Sequence, residues 1–176
     1  MRKTGLLRLT EPKYRISIMK SNLNLTSDEA ILRLQNICSN REKCTGEIRE
    51  KLRQWNINKE EAELIIKKLI NDKFVDDHRF AGFFVRDKQK LNKWGREKIR
   101  YALIHKGIQK EIIEKALESL EVSDYEETLR ELLARKSKEL YKYESHEKKN
   151  RLIRFAVQRG FDYDLISSVI NDFISE

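Results

Sequence analysis

Acidic side chains next to each other are the first candidates for chemistry in this sequence. Asp76 and Asp77 are adjacent, and paired carboxylates can hold a metal ion or act as an acid–base pair. Consecutive acids directly before a helical stretch more readily cap the helix N-terminus, and we favour that interpretation. The sequence has no P-loop, no glycine-rich phosphate turn after a strand and no nucleophile elbow. We therefore expect a protein that is not an enzyme.

The histidines and cysteines do not have the spacing of a metal site. His78, His105 and His146 are scattered, without the i, i+4 pair that places two imidazoles on one helix face. Cys38 and Cys44 are six residues apart, which is neither a CxxC motif nor a usual zinc spacing. The sequence predicts two reduced structural thiols, no metal and no cofactor.

Basic residues are concentrated in the middle of the chain. Between Asp76 and Gln109, nine basic residues stand against four acidic ones, and this excess of five is most of the net charge of +8. Such a surplus attracts polyanions. Nucleic acid is the partner we expect, because binding gains from phosphate neutralisation and counterion release.

An anionic membrane surface is the competing polyanion. The sequence has no 18-residue apolar run, no signal-peptide core and no lipidation motif. We therefore expect a cytoplasmic protein that does not bind a membrane.

One predicted helix edge and one helix start hold the candidate contacts. Arg79, Arg86 and Lys90 share an edge with Phe83, at about 100° per residue. Other basic residues surround a predicted helix start at Gly95, whose free backbone N–H groups are expected to receive a phosphate. The alternative is that these basic residues only form a solvated helix face and bind no partner. The predicted nucleic-acid contacts are Arg79, Arg86, Lys90, Lys93, Arg96, Lys98, Arg100 and Lys106.

The elements that carry these residues repeat along the chain. A shift of 51 residues superposes the apolar positions of 48–69 on those of 99–120, and a further 53 carries these onto 152–173. Apolar residues recur at helical spacing within each copy. Gly107 and Gly160 fall where a left-handed residue ends a helix, and Asn56 occupies this position in the first copy.

A further helix precedes each copy, predicted at 27–38, 77–91 and 124–141, the first with its start at Ser27 and Asp28. The expected fold is all-α, with nine helices in a tandem array of three three-helix repeats. A repeat of this size buries little surface alone, so stacked neighbours should give an elongated, curved array. The predicted units are an N-terminal arm at 1–26, repeat one at 27–75, the basic repeat two at 76–122 and repeat three at 123–176.

Two local features have open alternatives. The N-terminal arm is read as a weak strand or hairpin, or as a flexible segment. Trp94 either stacks on a base or fills the seam between repeats, and we favour packing. Opposite the basic edge, the same helix is expected to turn Phe80, Ala81, Phe84 and Val85 towards the core.

Three blocks occur in order within this repeat. They are Asp-Asp-x-Arg-Phe-Ala at 76–81, Gly-x-x-Lys-Ile at 95–99 and Lys-Gly-Ile at 106–108. In these blocks the sequence resembles the RecX family, and the resemblance covers about residues 27–175. The third repeat carries it mainly through Gly160 and its apolar pattern.

The resemblance implies a regulator of the RecA recombinase. Such a protein binds along or within the groove of the RecA filament on single-stranded DNA and restrains filament growth or recombinase activity, and so regulates DNA repair, recombination and the SOS response. We expect a monomer. Its middle repeat should contact DNA, and its first and third repeats should bind the protein part of the filament more than the DNA. The alternatives are a helix-turn-helix protein that reads duplex DNA, usually as a dimer, and a helical-repeat scaffold that binds only protein.

Overall fold

The computed structural model describes residues 25–120 and 122–174. The predicted N-terminal arm lies outside these ranges, apart from Leu25 and Thr26. Within them, the chain forms nine α-helices and no strand, so the all-α prediction is confirmed. None of these helices has the length and hydrophobicity needed to cross a lipid bilayer.

The helices follow in three sets of three. The first set is α1 (Ser27–Asn40), α2 (Thr45–Gln54) and α3 (Lys59–Asn71). The second is α4 (Asp77–Lys90), α5 (Arg96–His105) and α6 (Lys110–Glu118). The third is α7 (Val122–Glu139), α8 (Ser145–Arg159) and α9 (Tyr163–Val169), after which Ile170–Phe173 form a 3₁₀ turn.

Short polar side chains start several of these helices. Thr26 and Glu29 form a capping box at α1, one residue before the predicted start. The side chain of Asn58 accepts a hydrogen bond from the Glu61 N–H at the start of α3. The Asp76 carboxylate accepts one from the Arg79 N–H at 3.0 Å. The predicted capping role of Asp76 is therefore confirmed, and a cap of this kind contributes about 1 kcal/mol.

Left-handed residues end the second helix of each repeat, as the sequence predicts. Asn56, Gly107 and Gly160 have φ values of 59°, 76° and 85°. Lys73 and Lys93 also have positive φ, which the sequence does not signal because lysine rarely adopts this conformation. Lys93 is thus held at a tight turn between α4 and α5.

Each repeat has its own apolar core. The fully buried side chains at the centre of the three clusters are Leu34, Ile48, Leu52, Ile65 and Leu69 in the first, Val85, Ile99, Leu103 and Ile113 in the second, and Leu129, Leu133, Leu152 and Ile166 in the third. Burial of one such side chain stabilises the fold by about 1.5–3 kcal/mol. Cys44 belongs to the second cluster although it directly precedes α2, so it links the first two repeats.

The second helices of neighbouring repeats meet end to end. A methyl group built on Gly46, in the first turn of α2, would lie 1.9 Å from the carbonyl oxygen of Lys106 at the end of α5. A methyl group on Gly95, at the start of α5, would lie 2.1 Å from the carbonyl of Gly160 at the end of α8. In both contacts, the carbonyl end of a second helix therefore touches the N–H end of the second helix in the preceding repeat, an arrangement that the two helix dipoles favour.

We call these two contacts between helix ends the first and the second seam. A side chain from the following repeat adds hydrogen bonds at each of them. The Asp77 carboxylate accepts hydrogen bonds from the N–H and the hydroxyl of Thr45, at 2.8 and 2.6 Å. The prediction that Asp77 caps its own helix is therefore wrong, because it caps α2 of the preceding repeat. At the second seam, the Tyr125 hydroxyl accepts from the Arg96 N–H and donates to Asp162, each at 3.0 Å.

Replacing Gly82 by alanine is expected to stabilise the protein. Gly82 lies inside α4, and a methyl group there would meet only the Arg86 guanidinium, at an ordinary contact distance of 3.7 Å. Alanine in a helix interior is favoured over glycine by about 0.5–1 kcal/mol. Thermal unfolding followed by circular dichroism should show a melting temperature about 1–4 °C higher. A lower melting temperature would contradict the open surroundings of Gly82.

Candidate nucleic-acid interface

The amphipathic character of α4 places the predicted basic edge at the surface. Phe80, Ala81 and Val85 are buried, as predicted, whereas Phe84 is only half-buried. Phe83 is 48% exposed, and the Arg86 guanidinium lies 4.9 Å from the centre of its ring. Arg79, Arg86 and Lys90 are all exposed along this helix. The predicted basic edge of α4 is therefore present at the surface. Its basic side chains have different partners, however.

Four of the eight predicted contact residues are ion-paired. The pairs, with their shortest N···O distances, are Arg79 with Glu42 (2.8 Å), Lys93 with Glu131 (3.5 Å), Arg100 with Glu114 (2.8 Å) and Lys106 with Glu47 (2.5 Å). Three of the four carboxylates come from the first or third repeat. A phosphate at any of these positions would compete with a carboxylate already in place, so their charge is only partly available.

Ion pairing shifts the pKa of Arg100, Glu114 and Glu47. A hydrogen bond with Glu114, reinforced by Glu97, raises the pKa of Arg100 and lowers that of Glu114. Burial alone would raise the pKa of Glu47, but hydrogen bonds from Lys106 and Lys43 hold it below its ordinary value. Because the Glu47 pKa is lowered by folding, its contribution to stability is present above the unfolded-state pKa and is lost as the pH falls through the folded-state value.

The N-terminus of α5 is not free to bind a phosphate. The N–H of Gly95 donates to the carbonyl of Arg159 at 2.7 Å, and that of Glu97 donates to the carbonyl of Gly160 at 3.0 Å. These donors are occupied by the end of α8. The predicted phosphate site at Gly95 is therefore wrong, and the reason is tertiary: the third repeat covers this helix end.

Arg96 is built into the same seam. Its N–H is bound by Tyr125, its guanidinium donates to the carbonyl of Leu120 at 3.3 Å, and it lies 4.9 Å from the centre of the Tyr125 ring. Burial raises the pKa of the Tyr125 hydroxyl well above its ordinary value, so this hydroxyl stays protonated and keeps its hydrogen bond to Asp162. Arg96 thus holds the second and third repeats together.

Besides Arg96, three predicted contact residues have no carboxylate partner within the described residues. Arg86 is held over the Phe83 ring, and Lys98 donates to the Gln158 carbonyl at 3.4 Å and lies over the Trp94 ring. Lys90 is exposed and has neither an ion pair nor a hydrogen bond in the described ranges. None of these three charges is balanced by an ion pair in the described part of the chain.

Lysines and aromatic rings alternate on the second repeat, and we call this set the cation–aromatic row. Lys106 lies 5.5 and 5.7 Å from the ring centres of Phe80 and Phe84. Lys88 lies 5.3 Å from that of Phe84 and 5.0 Å from that of Trp94. The sixth member, Lys98, lies 4.9 Å from that of Trp94. These distances are those of cation–π contacts.

Sequence reasoning missed part of this row. It counted Lys88 as basic without assigning it a contact, and it placed Phe84 wholly in the core. The i, i+4, i+8 spacing of Phe80, Phe84 and Lys88 is a signal that could have found the α4 part. Trp94 is half-buried against the second apolar cluster, in agreement with the favoured packing role.

The fold defines the class: an all-α protein built from tandem three-helix domains. Residues 76–117 match the model of the second three-helix domain of RecX, and residues 124–170 match that of the third. The chain therefore belongs to the RecX family, as the three sequence blocks predict.

Relatives named regulatory protein RecX support this assignment. The protein from Clostridium botulinum (strain Eklund 17B / Type B) is 33% identical over 135 residues, which are 76% of this chain and 63% of that protein. The protein from Clostridium acetobutylicum is 34% identical over 138 residues, 76% of this chain and 64% of that protein. The match thus spans less than two thirds of the length of these relatives.

Solved structures agree with the fold. The crystal structure of RecX from Lactobacillus salivarius has a TM-score of 0.77 at 24% identity and covers 84% of this chain and 96% of its own. A crystal structure described as regulatory protein RecX has the same TM-score at 23% identity, over 83% of this chain and 71% of its own.

Proposed function

We propose that this protein regulates the RecA recombinase by binding the RecA filament on single-stranded DNA and restraining filament growth or activity. Membership of the RecX family supports the recombinase as partner. The observation that carries the DNA contact is a group of second-repeat cations that are not ion-paired in the described ranges. Arg86, Lys88 and Lys98 lie over aromatic rings, and Lys90 is exposed.

The physical argument concerns how these cations are held. A carboxylate partner fixes a cation but balances its charge, whereas an aromatic ring fixes it and leaves the charge available. Single-stranded DNA offers one phosphate per nucleotide, and each contact releases counterions. Among the predicted residues, we therefore assign phosphate contact to Arg86 and Lys98, which lie over rings, and to Lys90, which is exposed.

The other five predicted residues receive a different role in this proposal. Arg79, Lys93 and Lys106 pair with carboxylates of neighbouring repeats, Arg96 bonds across the second seam, and Arg100 joins α5 to α6. They stabilise the arrangement of the surface. Where they pair with carboxylates, their positive charge is partly balanced. The second repeat then contacts DNA while its neighbours contact recombinase subunits.

The direct test adds the purified full chain to RecA filaments on circular single-stranded DNA. ATP hydrolysis is followed by a coupled assay and filament length by electron microscopy. We expect lower hydrolysis and shorter or more slowly growing filaments. Unchanged hydrolysis and length at saturating protein would contradict the proposal.

The same preparation distinguishes the two alternatives. Tighter binding to a duplex than to a single strand of equal length would favour the hypothesis of a helix-turn-helix protein that binds duplex DNA. Full restraint of filaments by a protein that does not bind single-stranded DNA would favour a scaffold that contacts only protein.

A further inference from the structure

A cleft lies between the first and second repeats, beside the cation–aromatic row. Its volume is about 370 Å³, which falls in the range of about 300–1,000 Å³ typical of small-molecule sites. Phe80, Phe83 and Phe84 of α4 line one side. Arg41, which follows α1, and Lys88 stand around them. The cleft therefore combines an aromatic surface with charged side chains of both signs, since Glu42, Glu47 and Asp87 also line it.

Phe83, which is exposed, and Phe84, which is half-buried, form a shelf above the buried ring of Phe80. The Phe80 and Phe84 rings are stacked, with their centres 5.8 Å apart and their planes 25° apart. Phe83 is 48% exposed. An exposed ring face of this kind is a surface on which any nucleobase can stack, because every base has a π-face.

Three basic and three acidic residues line the cleft, but two of the acids are ion-paired with cations and, among the described residues, two of the cations are not ion-paired. Its carboxylates Glu42 and Glu47 are already bound, the first by Arg79 and the second by Lys43 and Lys106. Arg41 and Lys88 have no carboxylate partner within the described ranges, and Lys88 is held by the Phe84 and Trp94 rings. Two cations beside the shelf are therefore available to an anion.

We propose that this cleft binds one unstacked nucleotide of single-stranded DNA. Its base stacks on the phenylalanine shelf, its phosphate is bound by Arg41 and Lys88, and the strand continues along the row towards Trp94 and Lys98. This inference rests on the proposed function and adds the place at which one base of the DNA is bound.

A nucleotide fits the cleft better than an acidic peptide does. A peptide carboxylate would use the cations alone, whereas a nucleotide would also stack its base on the exposed part of the Phe83 ring. The remaining lining carboxylate, Asp87, has no ion pair among the described residues. A carboxylate can accept a hydrogen bond from the exocyclic amine of cytosine, so the acidic rim suits a base as well.

The test uses the full chain and a fluorescein-labelled oligodeoxycytidylate of about 12 nucleotides, within the usual site size, without RecA. Fluorescence anisotropy gives the affinity at several salt concentrations. Phe84→Leu keeps an apolar side chain but removes the ring face, and should weaken binding roughly five- to a hundredfold with an unchanged salt slope. Lys88→Gln should reduce that slope by about 0.7.

A matched control removes a ring elsewhere. Tyr101 on α5 is 65% exposed and does not line the cleft, so Tyr101→Leu should bind like the unchanged protein. Thermal unfolding shows whether Phe84→Leu is folded. A separate measurement needs no variant: photocrosslinking of an oligonucleotide that carries 5-iododeoxyuridine should map to the peptide containing residues 80–84.

Each outcome supports or overturns the inference. Normal binding by Phe84→Leu, or crosslinks confined to other peptides, would overturn it. If Phe84→Leu binds free DNA normally but restrains filaments poorly, the cleft contacts the recombinase and the nucleotide is excluded. If Phe84→Leu loses DNA affinity while the unchanged protein has no effect on filaments, the cleft stands and the proposed function fails.

Discussion

Replacing Gly160 by alanine is expected to lower the free energy of unfolding by about 3 kcal/mol and the melting temperature by about 6–12 °C. The left-handed conformation of this residue, with φ of 85°, alone costs an alanine about 1–2 kcal/mol. The added methyl group would also lie 2.4 Å from the backbone nitrogen and the Cβ of Lys98. The end of α8 must then move away from α5, which weakens the hydrogen bonds that Gly95 and Glu97 donate to it.

Gly107 provides the matched control for this prediction. It has a similar φ of 76°, but the nearest atom to an added methyl group is the Gly46 Cα, at an ordinary 3.9 Å. Gly107→Ala should therefore show only the backbone penalty, about 1–2 kcal/mol. Urea and thermal unfolding by circular dichroism measure both variants. Equal losses would mean that the close packing between α5 and α8 contributes nothing to stability.

Local features of this fold follow from sequence, whereas the seams do not. The helices, the left-handed ends at Asn56, Gly107 and Gly160, and the cap at Asp76 each depend on residues a few positions apart. Asp77 has the same local setting as Asp76, yet its partner is Thr45 on another repeat. The periodic pattern predicts that repeats stack, but it does not predict which ends touch.

The availability of each charge is also a tertiary property. Arg86 and Arg100 are both basic residues on helices of the second repeat, and the local sequence gives Arg100 a partner in Glu97 but does not predict its pair with Glu114. Arg100 is paired with Glu114 from the next helix, whereas Arg86 rests on the Phe83 ring. Counting charges along one segment therefore overestimates the free positive charge, because the acids that balance it come from other elements.

Reversing the three cations that are assigned to phosphate contact is expected to abolish restraint of the RecA filament. The variant carries Arg86→Glu, Lys90→Glu and Lys98→Glu. Each lost phosphate contact on a single strand reduces the slope of log affinity against log salt by about 0.7, so the slope should fall by about 2. At 0.1 M salt this corresponds to a loss of affinity of about a hundredfold. Anisotropy measures the binding, and ATP hydrolysis by RecA measures the restraint.

A second triple variant separates this surface from the net charge of the protein. Lys59, Lys67 and Lys115 are exposed on α3 and α6, outside the row and the α4 edge, and their replacement by glutamate changes the net charge equally. It should leave the salt slope nearly unchanged, because distant surface charges are screened beyond about 10 Å at this salt concentration. If both triple variants lose affinity equally, binding depends on overall charge. If the first retains its slope and its restraint of filaments, the assignment of Arg86, Lys90 and Lys98 as DNA contacts is wrong.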